Sequence, residues 1–209
     1  MIGLNSARHN ASLCACYDGR TSMAIAITKR RFTADEFVRM GEAGILRRED
    51  RVELIDGEIV TKMTIGPRHA ACVDRATRLL VTGAGDSAIV RVQGAVRVNL
   101  FSQPEPDLVL LRPRADFYVS GHPGPTDILL IIEVAESSIH IDREVKAPLY
   151  ARNGVHEYWI ADLNENVLNR YLLPERGTYR SEQCFSRGQS LAPELLPNCV
   201  VSIDDLLPE

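Results

Sequence analysis

Two short apolar runs, separated by a loop rich in Pro and Gly, constrain this chain more than any other feature. One run, "LVLL", follows "PEPD" and starts after Asp107; the other, "ILLII", ends at Glu133 and leads into "VAESS". Runs this short, made of Ile, Leu and Val and bounded by Pro and Gly, predict strands buried on both faces. An ionised carboxylate beside such a strand is costly to desolvate unless a cation or hydrogen bonds compensate it. Two carboxylates at adjacent strand ends also repel each other, and a divalent cation removes that repulsion. Bound Mg²⁺ is the reading that meets both demands.

The 209 residues are enough for one domain with a sizeable core and barely enough for two. A formal net charge of −4, from 24 basic and 28 acidic residues, argues against a nonspecific nucleic-acid coat, which would be basic. An enzyme acting on nucleic acid stays compatible, because an acidic centre offsets basic patches elsewhere. The five cysteines, Cys14, Cys16, Cys72, Cys184 and Cys199, are scattered and lack paired zinc-ligand spacing. They read as incidental thiols in a reducing cytosol. No stretch is long and apolar enough for a membrane span, and the N-terminus lacks the order of a secretory signal. A soluble, cytoplasmic protein without a membrane partner is expected.

Residues 1–22 show no sustained period, whereas "MAIAITKRRFTADEFVRM" from Met23 reads like a natural start. Residues 1–28 are therefore expected to be a disordered extension or to precede the true start, with one domain over residues 29–209. Thr33 caps a helix, with Glu36 at the capping-box position and a stop at Gly41 or Gly44. "RVELIDGEIVTKM" predicts a hairpin turning at Asp56-Gly57. After Pro67, Val73, Ala76, Leu79 and Leu80 recur at helical spacing up to a stop at Gly83. "SAIVRVQGAVRVNL" alternates well enough for one or two strands. Asp142 is placed to cap a helix reaching about Arg152, with Pro148 removing one of its hydrogen bonds. "HEYWIAD" and "VLNRYLL" read as two further strands. The tail beyond Tyr179 reads as loop, closing in a short turn at "IDDLLPE". The fold class is α/β.

The polar residues that this pattern singles out are Glu53, His69, Asp107, Glu133 and Lys146. Glu53 sits amid "VELI" and shares a strand face with Ile55. Asp107 and Glu133 supply hard oxygen ligands suited to Mg²⁺ or Mn²⁺. Lys146, on the helix after the Glu133 strand, is long enough to fold back to the strand end. There it could orient or help deprotonate an attacking water and steady developing charge. Each residue also has a plainer reading: Asp107 as a turn cap, Lys146 on a solvated helix face, His69 as a local helix-start contact. Spacing alone does not choose between them.

"RVELIDGEIV", "GPRHAACVDRATRLL", "PEPDLVLL", "IIEVAESS" and "DREVKAPLYARNGVHEYWIAD" resemble, in order, the successive blocks of the Uma-type family of "putative restriction endonucleases". That family lies within the PD-(D/E)XK nuclease superfamily. The resemblance implies a restriction-endonuclease-like mixed central β-sheet flanked by helices, and a metal-dependent centre cutting DNA phosphodiester bonds. It makes Pro106 and Asp107 the "PD" half-motif and Glu133 the acidic position of the second half. Glu53 then completes a Mg²⁺ or Mn²⁺ shell with Asp107 and Glu133. The usual lysine two residues on is missing, since position 135 is alanine, and Lys146 on the following helix takes its place. His69 matches the histidine opening the family's first long helix. Glu136 departs from the family's small or polar residue. Cutting both strands of DNA would call for two centres, hence a possible homodimer. Two other readings remain: a catalytically silent module binding nucleic acid or a protein partner, and a metal-dependent hydrolase of another substrate.

Overall fold

The computed structural model describes residues 29–208; the expected N-terminal extension lies outside the described residues. The chain is built on a six-stranded sheet in the order β3-β4-β5-β6-β7-β8. Its strands are β3 (Ile89–Val92), β4 (Leu108–Leu111), β5 (Ile128–Ala135), β6 (Glu157–Asp162), β7 (Val167–Glu175) and β8 (Thr178–Phe185). All neighbours pair antiparallel except β5 and β6, which run parallel. That parallel pair needs a crossover, and the chain between them is helical.

The two apolar runs form the centre of this sheet. Every residue of β4 and β5 is buried, as strands covered on both faces require. Leu108, Leu110, Leu130, Ile132 and Val134 point to one face, under helix α2 (Pro67–Ala84) and the C-terminal segment. Val109, Leu111 and Ile131 point to the other, under Leu149 and Tyr150 of α4 (Ala147–Arg152). The period-two alternation thus builds two cores on one sheet.

Helix α1 (Ala34–Glu42) begins where expected: Thr33 Oγ1 accepts from the Glu36 N–H at 3.2 Å, and Glu36 Oε2 accepts from the Thr33 N–H at 2.9 Å. The hairpin is β1 (Val52–Ile55) and β2 (Glu58–Thr61). Its turn residues Asp56 and Gly57 have φ of 52° and 82°, the pair of positive values that a two-residue hairpin loop needs. A Cβ on Gly57 would lie 2.6 Å from Arg31 Cβ. The hairpin joins the sheet through the Leu54–Gln103 bridge, which brings β1 alongside the chain entering β4.

Three expectations are corrected. Helix α2 runs past Gly83 to Ala84, with Gly85 as its C-cap; Gly83 lies inside the helix, where a Cβ would meet Cys199 Sγ at 2.8 Å. The stretch "SAIVRVQGAVRVNL", expected to hold one or two strands, supplies one strand of the sheet, β3, and residues 93–107 are mostly irregular. Asp142 is not the N-cap: the helical segment starts earlier, as α3 (Ile139–Ile141), and Asp142 follows it directly. A π-helical turn over Asp142–Lys146 then leads into α4, with the Ala147 N–H reaching back five residues to the Asp142 carbonyl. This wider turn lies just ahead of Pro148, whose missing N–H already breaks the regular ladder. Finally, the tail beyond Tyr179 is not loop: β8 is an eight-residue edge strand, followed by the pair β9 (Ser190–Leu191) and β10 (Val201–Ser202) and the short α5 (Ile203–Leu206).

Candidate active site

Asp107 and Glu133 meet because of register. Leu108 pairs with Ile132, so the preceding Asp107 stands opposite Glu133. The Asp107 N–H points to Glu133 Oε2 at 3.4 Å, and the Val134 N–H donates to Asp107 Oδ2 at 2.9 Å. Glu133 is not at the strand's end, as the sequence implied; β5 continues to Ala135, and Glu133 lies beside Ile160 of β6. The acid is therefore set inside the sheet rather than at its fringe.

All five singled-out residues line one narrow cleft of about 60 Å³. Glu53, Asp107, Glu133 and Lys146 are buried, and so is Asp142. The π turn presents Lys146 inward, with Nζ 3.0 Å from Glu133 Oε1, 3.3 Å from Glu53 Oε1 and 3.7 Å from Asp142 Oδ1. Burial works against a charged lysine, yet these three carboxylates outweigh it and hold the ammonium well above the usual lysine range. Glu133 is pushed up to about 8 by burial, with Asp142, Asp107 and Glu53 adding to the effect and Lys146 opposing it. Burial and neighbouring acids raise Asp142 too, against Lys146 and a 2.6 Å bond from Ser138 Oγ. Asp107 moves the other way: burial would raise it, but His69, the Val134 N–H and Lys146 together lower it.

His69, in the first turn of α2, reaches across with Nε2 3.0 Å from Asp107 Oδ2. Its Nδ1 is buried without a hydrogen-bond partner among the described residues. Glu53 Oε2 accepts from the Glu105 N–H at 3.0 Å, which ties the hairpin to the Pro-Glu-Pro-Asp entry of β4. Two participants escape a sequence reading. Tyr150 donates its hydroxyl to Glu133 Oε1 at 3.0 Å. Asp142, expected only to cap the helix, adds a fourth buried acid to the cleft. The i,i+4 spacing of Asp142, Lys146 and Tyr150 on one helix face was the available signal for both.

The site has four buried carboxylates against one lysine. Asp107 Oδ1 receives no hydrogen bond among the described residues, and Glu133 Oε2 receives only the long one from Asp107. Hard oxygen donors with spare acceptor capacity and excess negative charge match what Mg²⁺ or Mn²⁺ requires. Among the described residues, no three acidic, histidine or cysteine side chains close on one point as a preformed shell. Glu53 in particular is engaged by Lys146 and the Glu105 N–H. The mouth adds Arg51, Lys62 and Glu136. Glu58 is exposed, while Tyr158 and Trp159 are fully buried in the sheet.

Comparison with known proteins agrees with this architecture. Residues 34–204 match the family model described as "Putative restriction endonuclease". The chain belongs to that family, and this membership supports a nuclease function. The crystal structure of a "putative nuclease belonging to DUF820" from Anabaena variabilis superposes with a TM-score of 0.65 at 18% identity, covering 84% of this chain and 97% of that one. It shows that the two share a fold. The type IIG restriction endonuclease BpuSI aligns over 53% of this chain and 12% of its own, with a TM-score of 0.36 and 18% identity. No curated protein sequence matches. Among the described residues, no helix is long and apolar enough to cross a membrane.

Proposed function

We propose that the protein is a divalent-metal-dependent endonuclease that hydrolyses DNA phosphodiester bonds in this cleft. The observation that carries the reading is the gathering of four buried acids around one buried lysine at the β4–β5 register point, in a chain of this family. A Mg²⁺ or Mn²⁺ ion held by Asp107 and Glu133 would lower the pKa of an attacking water and stabilise charge on the pentavalent transition state.

The chain's own groups divide the remaining work. His69 and the Val134 N–H fix Asp107 by one oxygen and leave the other free. Tyr150 does the same for Glu133, bonding Oε1 and leaving Oε2 to the cleft. Lys146, with Nζ 3.0 Å from Glu133 Oε1, is placed to orient the attacking water and offset developing charge. Glu53, expected in the metal shell, also lies 3.3 Å from Lys146 Nζ and, with Asp142 at 3.7 Å, helps to hold it in the cleft. Cleavage of both strands would require two such centres, and a two-fold homodimer supplies them.

Nicking of supercoiled plasmid with Mg²⁺ or Mn²⁺, beside an EDTA control and the Asp107→Ala variant, tests the reading. Metal-dependent cutting that the variant loses is expected. A folded, metal-binding wild type that never cuts would overturn it in favour of a silent binding module or another substrate. Cutting that survives in Asp107→Ala would remove Asp107 from the centre.

A further inference from the structure

A second depression of about 460 Å³ adjoins the cleft and shares Arg51, Lys62 and Ile65 with its lining. It adds Arg48, Gln93 and Glu105. Arg51 and Lys62 are neighbours across the open end of the hairpin, joined by the Lys62 N–H to the Arg51 carbonyl at 2.8 Å. Lys62 Nζ donates to the Glu105 carbonyl at 2.8 Å and lies 3.9 Å from its carboxylate. The Arg48 and Arg51 guanidinium groups have no ion-pair or hydrogen-bond partner among the described residues, unlike Arg97, Arg114, Arg152 and Arg170. Three cations against one acid thus form a basic groove at the rim of a strongly acidic centre, in a chain whose net charge is −4.

The backbone adds an independent observation. Arg51 and Gln93, both lining this groove, are non-glycine residues with φ of 47° and 46°. Side chains rarely adopt this left-handed region, and such strain collects where a chain must present a particular group. At Arg51 the strained residue directly precedes β1, which carries Glu53.

We infer that this groove seats the DNA backbone next to the cleaved bond, with Arg48, Arg51 and Lys62 contacting non-scissile phosphates. The inference rests on the nuclease reading and extends it from the reacting phosphate to its neighbours. A polyanion entering a cleft of four carboxylates needs flanking cations, and a planar guanidinium grips phosphate oxygens in pairs. Such contacts hold register and carry no base information.

Binding of a fluorescently labelled DNA duplex to the full chain in EDTA, followed by anisotropy from low to moderate NaCl, tests the groove. Each phosphate contact contributes about 0.9 to the slope of log K against log salt. The slope is expected to fall by about 1 in Arg51→Ala and about 2 in the Arg48→Ala/Arg51→Ala pair. Arg51→Lys should retain it. Arg176→Ala, which removes an equal charge from the exposed β7–β8 turn, should leave it unchanged. An unaltered slope in the double variant overturns the groove, as does a parent protein that binds no duplex at all. Lowered slopes without nicking under any metal would overturn the nuclease reading and leave the groove standing; nicking with unaltered slopes would do the reverse.

Discussion

The protein buries two kinds of carboxylate, and their contrast separates structure from chemistry. Glu157, at the start of β6, is completely buried, yet its acceptor capacity is used. Oε1 accepts from Trp159 Nε1 and Arg170 Nε, each at 2.7 Å, and Oε2 accepts from the Glu194 N–H at 2.7 Å. Asp162, at the other end of β6, is similar: Oδ1 takes the Asn164 and Glu165 N–H groups, and Oδ2 faces Arg143 at 3.3 Å. In the cleft, by contrast, Glu53, Glu133 and Asp142 share one lysine, and Asp107 Oδ1 accepts nothing from the described residues. Burial alone does not mark a functional acid. Unused acceptor capacity together with unbalanced charge does.

The contrast predicts opposite responses to mutation. Glu157→Ala strands Arg170 and the Trp159 N–H, so a loss of about 3–5 kcal/mol in urea unfolding is expected. Lys146→Met leaves four buried acids with no ammonium and should cost a comparable ~3–5 kcal/mol without metal. If the proposed metal site is right, saturating Mg²⁺ or Mn²⁺ at about 100 times Kd should stabilise the wild type by ~2.7 kcal/mol, a rise in Tm of about 5–10 °C. The same ion should do nothing for an Asp107→Ala/Glu133→Ala pair. Glu133→Gln should go against the usual direction and stabilise the metal-free protein by about 1 kcal/mol, because burial and the neighbouring acids disfavour the ionised carboxylate there. If Glu133→Gln instead destabilises as strongly as Glu157→Ala, the two kinds of acid are alike and the distinction fails.

The sequence showed the centre of this fold better than its edges, for physical reasons. β4 and β5 are buried on both faces, so burial alone dictated their composition. β8 is an edge strand with one solvated side, and "TYRSEQCF" lacks the apolar run that announces a strand. Gly83 looked like a helix stop because a close approach to Cys199 and a left-handed cap both call for glycine. Within the site, Asp107 and Glu133 stood out as acids beside apolar strands, but Glu157 is also such an acid in "HEYWIAD". Only the pairing register and the Arg170 contact tell them apart. Tyr150 is also a core aromatic: its ring lies 5.0 Å from that of Tyr158.

That double character of Tyr150 gives the smallest predicted effect and the finest test of the contrast. Its hydroxyl donates to Glu133 Oε1, the same oxygen that Lys146 approaches. Tyr150→Phe keeps the ring and its packing and removes only this bond, and Glu133 retains Lys146. A cost of about 1 kcal/mol is therefore expected, rather than the larger penalty of a stranded acid. A double-mutant cycle with Glu133→Gln separates the two roles. If Tyr150 matters because it bonds an excess charge, its cost should shrink once position 133 is neutral, since a bond to a charged group is about twice as strong as one between neutral groups. If the cost is the same in both backgrounds, Tyr150 is a packing residue with an incidental hydroxyl, and Glu133 is held by Lys146 alone.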